Sequence, residues 1–360
     1  SRTTTTNAAM PIARTSTRAF IVGLPLVALS VLYAPPAHRQ GGVVVEPQQS
    51  GTTARLIAVS AVGANVVWAS GERGTFVRTT NAGYTWTPGQ VPGAERLQFR
   101  DVHAVDDHTA YLLSIGKGAD SRIYKTDDAG ATWKLQFTNA DSAAFYDCFD
   151  FFTPERALAI GDAVNGELAI LTTSDGGEHW TRVAPRTLPL ALPGEGSFAS
   201  SGTCIIARKN GQAWFGTTKS RVLRSTDFGK SWKVSLTPIA SSDTTGVTSV
   251  SFLDNRIGMA FGGFGATPGD TLIAFSTDGG ASWEPRARPP IGPMYAGAYA
   301  SGAMTPTVVV AGPRGSAYSR DQGRTWTAID TANYWGLGFA PNAVGWAVGT
   351  NGRITRLSGF

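Results

Sequence analysis

One phrase, Ser/Thr-x-Asp/Asn-x-Gly-x-x-Trp, occurs six times in the 360 residues of this chain and limits the fold more than any other feature. The copies run from Thr79 to Trp86, Thr126 to Trp133, Thr173 to Trp180, Ser225 to Trp232, Ser276 to Trp283 and Ser319 to Trp326. Their tryptophans lie 43 to 52 residues apart, a period that suits propeller blades rather than helical solenoids. Each interval repeats one internal order. In the first, Leu56 to Val62 alternates in polarity, Val66 to Ser70 is an apolar run, Gly71 to Gly74 is a turn and Thr75 to Arg78 leads into the phrase. Short β-type runs bounded by Gly, Asp and Asn predict four antiparallel strands per unit, A to D, with the phrase in the C–D turn.

After the sixth copy the pattern continues once without the phrase, as Tyr334 to Ala340, Gly345 to Gly349 and Arg353 to Leu357. The missing outer strand is expected from Val43 to Gln49, so that the two ends pair and no edge stays open. The expectation is an all-β, seven-bladed β-propeller over residues 43–360, with six blades as the alternative. Within the phrase, Asn81, Asp128, Asp175, Asp227, Asp278 and Asp321 can accept bonds from backbone N–H groups of their own turn. The glycine supplies a backbone angle other residues resist. Trp86, Trp133, Trp180, Trp232, Trp283 and Trp326 can pack between neighbouring blades. These are folding roles, so the repeated aspartates are nominated neither as catalytic carboxylates nor as metal ligands.

Gly 43 and Pro 20 with 16% charged residues fit a turn-rich globular chain and exclude a disordered or coiled-coil one. The first 37 residues differ: Arg14 and Arg18 precede an apolar run from Ala19 to Leu32 and then Tyr33-Ala34-Pro35-Pro36-Ala37. That order is that of a secretory signal, and 14 apolar residues are short for a helix that needs about 20 to span a bilayer. Residues 1–37 are read as a signal segment, 38–42 as a linker, and the protein as periplasmic or secreted. The segment carries three arginines and no acid, so without it the formal charge drops from +5 to +2, which removes any electrostatic case for nucleic acid. Cys148 and Cys204 allow one disulfide in an oxidising compartment, or two buried thiols.

The phrase resembles the Asp-box, or BNR repeat, of sialidases, sortilin-type receptors and the photosystem II stability and assembly factor family. Seven predicted blades, a signal segment and the cadence Gly345-Trp346-Ala347-Val348-Gly349-Thr350-Asn351-Gly352 are most similar to the last of these. That resemblance implies a non-catalytic assembly factor that holds a membrane-protein subunit. Sialidase chemistry needs an Arg triad, a Tyr–Glu pair and an Asp acid, and the Arg-Ile-Pro signature of those enzymes is missing from this chain.

In a propeller the strand A starts and the B–C turns share one face, the one ligands commonly meet. Strand A starts align as Leu56-Ile57-Ala58-Val59-Ser60, Phe99-Arg100-Asp101-Val102-His103 and Phe145-Tyr146-Asp147-Cys148-Phe149 in the first three blades. This alignment gives Asp101 and Asp147 the same place on adjacent blades and so predicts that they lie near each other. Arg100, His103, Tyr146 and Asp150 share the sector, Asp162 sits in the third B–C turn, and Glu195 enters from the long connection Arg186 to Ser197. The ligand-binding candidates are Arg100, Asp101, His103, Tyr146, Asp147, Asp162 and Glu195, with Asp101, Asp147 and Glu195 the carboxylates capable of acid–base work. No metal or cofactor motif occurs. The expected function is an exported binding or assembly scaffold, acting as a monomer on a protein or glycan partner and meeting membrane only through that partner or an uncleaved signal. The alternative is an extracytoplasmic sialidase-like glycoside hydrolase or lyase with its site on blades 2–4.

Overall fold

The computed structural model describes residues 1–4, 37–40, 42–242, 245–263 and 266–360, and the apolar run expected as a signal lies outside them. Among these residues the strands form seven antiparallel sheets. Their innermost strands are Leu56–Ala61, Gln98–Ala104, Tyr146–Thr153, Ile205–Ala207, Val247–Phe252, Ala296–Tyr299 and Tyr334–Phe339. Each packs on the next, and the last packs on the first, which closes a seven-bladed ring around a central channel. Strands B and C of each blade are the apolar filling. Val67–Gly71 and Gly345–Gly349, for example, are buried at every residue. Three fully buried strand B tryptophans also find acceptors for their indole N–H: Trp68 on the Asp106 carbonyl, Trp214 on the Gly279 carbonyl and Trp346 on Gln48 Oε1.

The last blade closes as the sequence predicts. Val43–Gln49 pairs antiparallel with Arg353–Ser358, from Val44 opposite Ser358 to Gln49 opposite Arg353. Gln48 secures the junction: its Oε1 accepts from Trp86 Nε1 at 3.1 Å and Trp346 Nε1 at 3.2 Å, and its Nε2 donates to the Ala82 carbonyl at 2.9 Å. His38–Gln40, expected to be linker, instead adds a fifth strand to this sheet by pairing with Val43 to Val45.

All six phrases adopt one bonding scheme. The Ser or Thr hydroxyl donates to the Asp or Asn Oδ1 at 2.8–2.9 Å and accepts from the glycine N–H at 2.8–3.0 Å. The same Oδ1 accepts the N–H four residues on, at 2.8–3.0 Å. The glycine is left-handed in every copy, φ +77° to +86°; at Gly130 an added Cβ would also stand 2.6 Å from the Phe76 ring.

Strand A carries a second repeated feature. In five blades it skips one residue in its pairing with strand B, leaving Ile57, Arg100, Asp147, Thr248 and Trp335 as single-residue bulges. A bulge turns its side chain out of the ladder; four of these, Arg100, Asp147, Thr248 and Trp335, line one cavity at the channel mouth, and Ile57 is fully buried. Further along the same strands, polar side chains fasten one blade to the next: Ser60 Oγ accepts from Ala104 N at 3.0 Å, Asp150 Oδ2 from Ala207 N at 2.7 Å and Ser251 Oγ from Tyr299 N at 3.0 Å.

Candidate functional site

The bulges correct the alignment of blade 3. In several blades a glycine of strand B faces the first residue of strand A, as in Leu56 with Gly71, Tyr146 with Gly161, Val247 with Gly262 and Tyr334 with Gly349. Each pair is fifteen residues apart, and a Cβ on any of these glycines would fall 2.0–2.2 Å from the carbonyl preceding strand A. Blade 3 therefore starts at Tyr146, one residue later than the hydrophobic pattern suggests. Asp147 is the counterpart of Arg100, Thr248 and Trp335, and Asp101 is the counterpart of Cys148.

That single step separates the two aspartates. Asp101 is buried within the blade 2–3 junction, where Oδ1 accepts from Val102 N at 2.8 Å and Oδ2 from Phe149 N at 2.9 Å. It is an inter-blade fastener. Burial drives its carboxyl well above the usual range against those two bonds, and the carboxylate that adds to the shift is Asp150, not Asp147. Asp147 lines a cavity of about 360 Å³ at the channel mouth. Its Oδ2 is buried without a hydrogen-bond partner. Burial pushes this carboxyl, too, well above its ordinary value, and nearby Asp162 reinforces the shift.

The cavity sits where the D–A and B–C connections converge. Arg100, Asp147 and Asp162 of the sequence-predicted set line it, together with Phe198, Tyr295 and Trp335, which sequence reasoning did not single out. Trp335 is clasped by two cations, the Arg55 guanidinium 4.7 Å and the Arg100 guanidinium 5.0 Å from its ring centre, while the Tyr295 ring lies 4.8 Å away. Arg55 is also paired with Glu72 at 3.3 Å. Arg100 spends Nε and Nη2 on Gln98 Oε1 and Nη1 on the Ala199 carbonyl. Its pKa is lowered first by burial and then by Arg55. Asp162 accepts from Ser197 N at 3.2 Å; burial raises its pKa, and the bond from Ser197 and the charge of Lys117 oppose that.

The floor comes from blade 4. Between Ser197 and Cys204 the chain leaves the blade and crosses the channel: Ala199 meets Arg100 of blade 2, Ser201 Oγ donates to the Tyr295 carbonyl of blade 6 at 2.7 Å, and the Thr203 carbonyl accepts from Val250 of blade 5. Gly202, at φ +73°, passes so close to blades 1 and 2 that a Cβ would meet Asp101 Oδ1 at 2.3 Å and Ala58 Cβ at 3.1 Å. A disulfide between Cys148 and Cys204 ties this crossing to strand A of blade 3.

Four of the sequence-predicted residues lie elsewhere. Glu195 is fully buried in a two-pronged ion pair with Arg221, both contacts 2.8 Å, and its Oε2 also accepts from Leu192 N. It anchors the long connection and is not a free acid. His103 contacts Asp150 through Nδ1 at 3.1 Å and stacks on Phe151, away from the cavity. Tyr146 packs edge-on against Phe137, and burial raises its pKa. Asp101 is the fastener described above. A larger groove of about 480 Å³ opens between blades 3 and 4 at the Asp-box turns, edged by Arg156, Asp175, His179 and Lys230. Its Asp175 and His179 already pair at 2.7 Å, and Arg156 covers the Phe228 ring.

The BNR/Asp-box repeat model matches residues 317–328, the sixth phrase. The solved structure of YCF48 bound to D1 peptide superposes with a TM-score of 0.63 at 17% identity, over 90% of this chain and 99% of that one. An ancestral GH74 enzyme superposes with a TM-score of 0.60 at 14% identity, over 86% of this chain and 45% of that one. The xyloglucanase Xgh74A of Acetivibrio thermocellus is 26% identical over 248 residues, 59% of this chain. The chain spans 28% of the length of that relative. Repeat, closure and superposition agree: the chain is a seven-bladed Asp-box β-propeller whose fold is similar to that of YCF48.

Proposed function

We propose that this propeller is an exported, non-catalytic scaffold that captures a segment of a protein partner at the channel mouth. The observation that carries the reading is the cavity itself: an open pocket with an aromatic wall of Tyr295 and Trp335, Arg100 on its rim, Arg55 over the Trp335 ring and a buried acid in its lining. Such a site offers apolar area for affinity and a few placed polar groups for orientation. The similarity to YCF48, whose structure was solved with a D1 peptide, supports a protein partner over a glycan. Export rests on the order of charge, apolar run and small residues before Ala37, and the disulfide suits an oxidising compartment.

The GH74 similarity keeps a hydrolase as the competing class. A glycosidase pairs one protonated carboxyl with one held ionised. Here burial raises both Asp147 and Asp162, which favours binding over that chemistry. The test is capture of a partner from the native envelope by the full chain and by its Arg100→Glu and Trp335→Ala forms, beside a xyloglucan hydrolysis assay. Capture should fall at least about tenfold in both variants, with no sugar released. Undiminished capture by both variants, or hydrolysis that Asp147→Asn abolishes, sinks the proposal.

A further inference from the structure

We propose that the channel-mouth cavity receives a primary carboxamide, the side chain of a glutamine or asparagine on the partner segment, through Asp147. The inference rests on the partner-binding reading above and names the chemistry its buried acid selects. Asp147 is a bulge residue turned into the cavity, 3% exposed, with Oδ2 buried and unpartnered. A buried polar atom of this kind is costly to leave unpaired, and native interiors seldom do so without a use for it. Burial pushes its pKa well above the ordinary carboxyl value and so favours the protonated form, which presents one O–H donor beside one carbonyl acceptor. The group that answers both at once has an acceptor and a donor side by side on the same edge. A primary carboxamide has that edge; a trans backbone amide points its N–H and C=O in opposite directions and can satisfy only one.

The charges around the cavity argue against a cation, and the two guanidinium groups are already engaged, Arg100 by Gln98 and the Ala199 carbonyl and Arg55 by Glu72, so neither is free for an anion. A cation would meet Arg100 on the wall, Arg55 across Trp335 and Lys117 beside Asp162, and the Trp335 ring already has both guanidinium groups at 4.7 and 5.0 Å. A carboxylate would meet Asp162, which lines the same space. A neutral group avoids both penalties. The volume of about 360 Å³ leaves room for the side chain and its flanking backbone against Phe198 and Trp335.

The probes are capped tripeptides, acetyl-Gly-Gln-Gly N-methylamide and its Glu, Lys and Leu counterparts, titrated into the full chain while the carboxyl carbon of Asp147 is followed by NMR. The glutamine peptide should bind at least about tenfold more tightly than the other three and move the Asp147 signal. Asp147→Leu should lose that preference. Asp147→Asn, which keeps a donor and an acceptor on one edge, should retain most of it, and so separates recognition from a folding defect. Equal or tighter binding of the Glu or Lys peptide overturns the inference, as does an unchanged glutamine preference in Asp147→Leu. So does loss of the preference in a folded Asp147→Asn. Partner capture by Arg100→Glu is scored separately: if the wild type captures its partner and the Arg100 variant does not, failure of the glutamine preference removes this inference and leaves the scaffold standing.

Discussion

The two ends of the blades solve opposite problems with the same economy of residues. At the Asp-box turns all six copies make the same three hydrogen bonds, so the sequence repeats because the task repeats. At the channel mouth the backbone also repeats, with one bulge in each of five strand A segments, yet the side chain placed there differs in each: Ile57, Arg100, Asp147, Thr248 and Trp335. A shared backbone device with divergent side chains is how a rigid repeat scaffold presents a specific surface. The lesson is that function is to be sought where structure repeats and sequence does not.

The largest expected effect falls on the connection that supplies the channel floor. Glu195→Ala would leave the buried Arg221 with the Leu190 carbonyl alone and no counter-charge, and removing one partner of a buried pair costs about 3–5 kcal/mol. Urea unfolding should move by that amount, and proteolysis near exposed Leu190 should accelerate as the connection loosens. A change below about 1 kcal/mol would mean the mouth is held without this pair, by the disulfide and the hydrogen bonds of the crossing.

The two aspartates give the sharpest contrast. Asp101→Ala strips acceptors from the buried N–H groups of Val102 and Phe149 and should cost about 2 kcal/mol or more. Asp147→Asn removes no bond. Because the folded pKa of Asp147 is raised, its protonated form is favoured by folding, and stability from this group is full below the unfolded value and declines as pH rises toward the folded one. The variant should therefore match the wild type near pH 4 and exceed it by about 1 kcal/mol or more near pH 8, measured as the difference between urea midpoints. Any remaining slope of the same sign belongs to Asp101 and Asp162, whose pKa values are also raised. If Asp101→Ala and Asp147→Asn respond alike, the separation of fastener from binding group is wrong.

The sequence exposes the ring, the blade count and the closing strand because each rests on a local rule: a turn with fixed polar partners, alternation, and an edge that must be paired. It exposes the mouth only in part. Arg100 and Asp147 are legible as polar residues at strand A starts; Asp162, expected in the B–C turn, lies instead within strand B, Arg156–Val164, at an irregularity of its pairing with strand C. Asp101 was misplaced beside Asp147 because a one-residue shift in a strand exchanges its faces, and the apolar pattern Phe145-Tyr146 and Cys148-Phe149 tolerates either register. The spacing of fifteen from the strand B glycine carries the true register, since no Cβ fits against the carbonyl there. Trp335 and Tyr295 were hidden for a different reason: an aromatic residue in an apolar strand reads as core until the bulge turns it outward. The pairing of Glu195 with Arg221, 26 residues apart, follows from the path of an irregular connection, and no periodicity encodes that.

The smallest effect should come from the feature that is most repeated. Asp278 is exposed, and the burial it does have would raise its pKa; bonds from Ser282 Oγ and N–H, from Ser276 Oγ and from Ala281 N outweigh this and bring it down to about 2. A depressed carboxylate contributes stability above its unfolded pKa and loses it as pH falls through the folded value. Asp278→Ala should thus cost no more than about 1 kcal/mol at neutral pH, because solvent competes for each of these bonds, and the deficit should shrink from about pH 4 down to about pH 2. Thermal unfolding of the variant and the wild type across that range measures the difference. Five other turns carry the same bonds, so no single turn is expected to govern the ring. A loss as large as that of Glu195→Ala would reverse the comparison and make the turns, not the channel floor, the part of the molecule that cannot be changed.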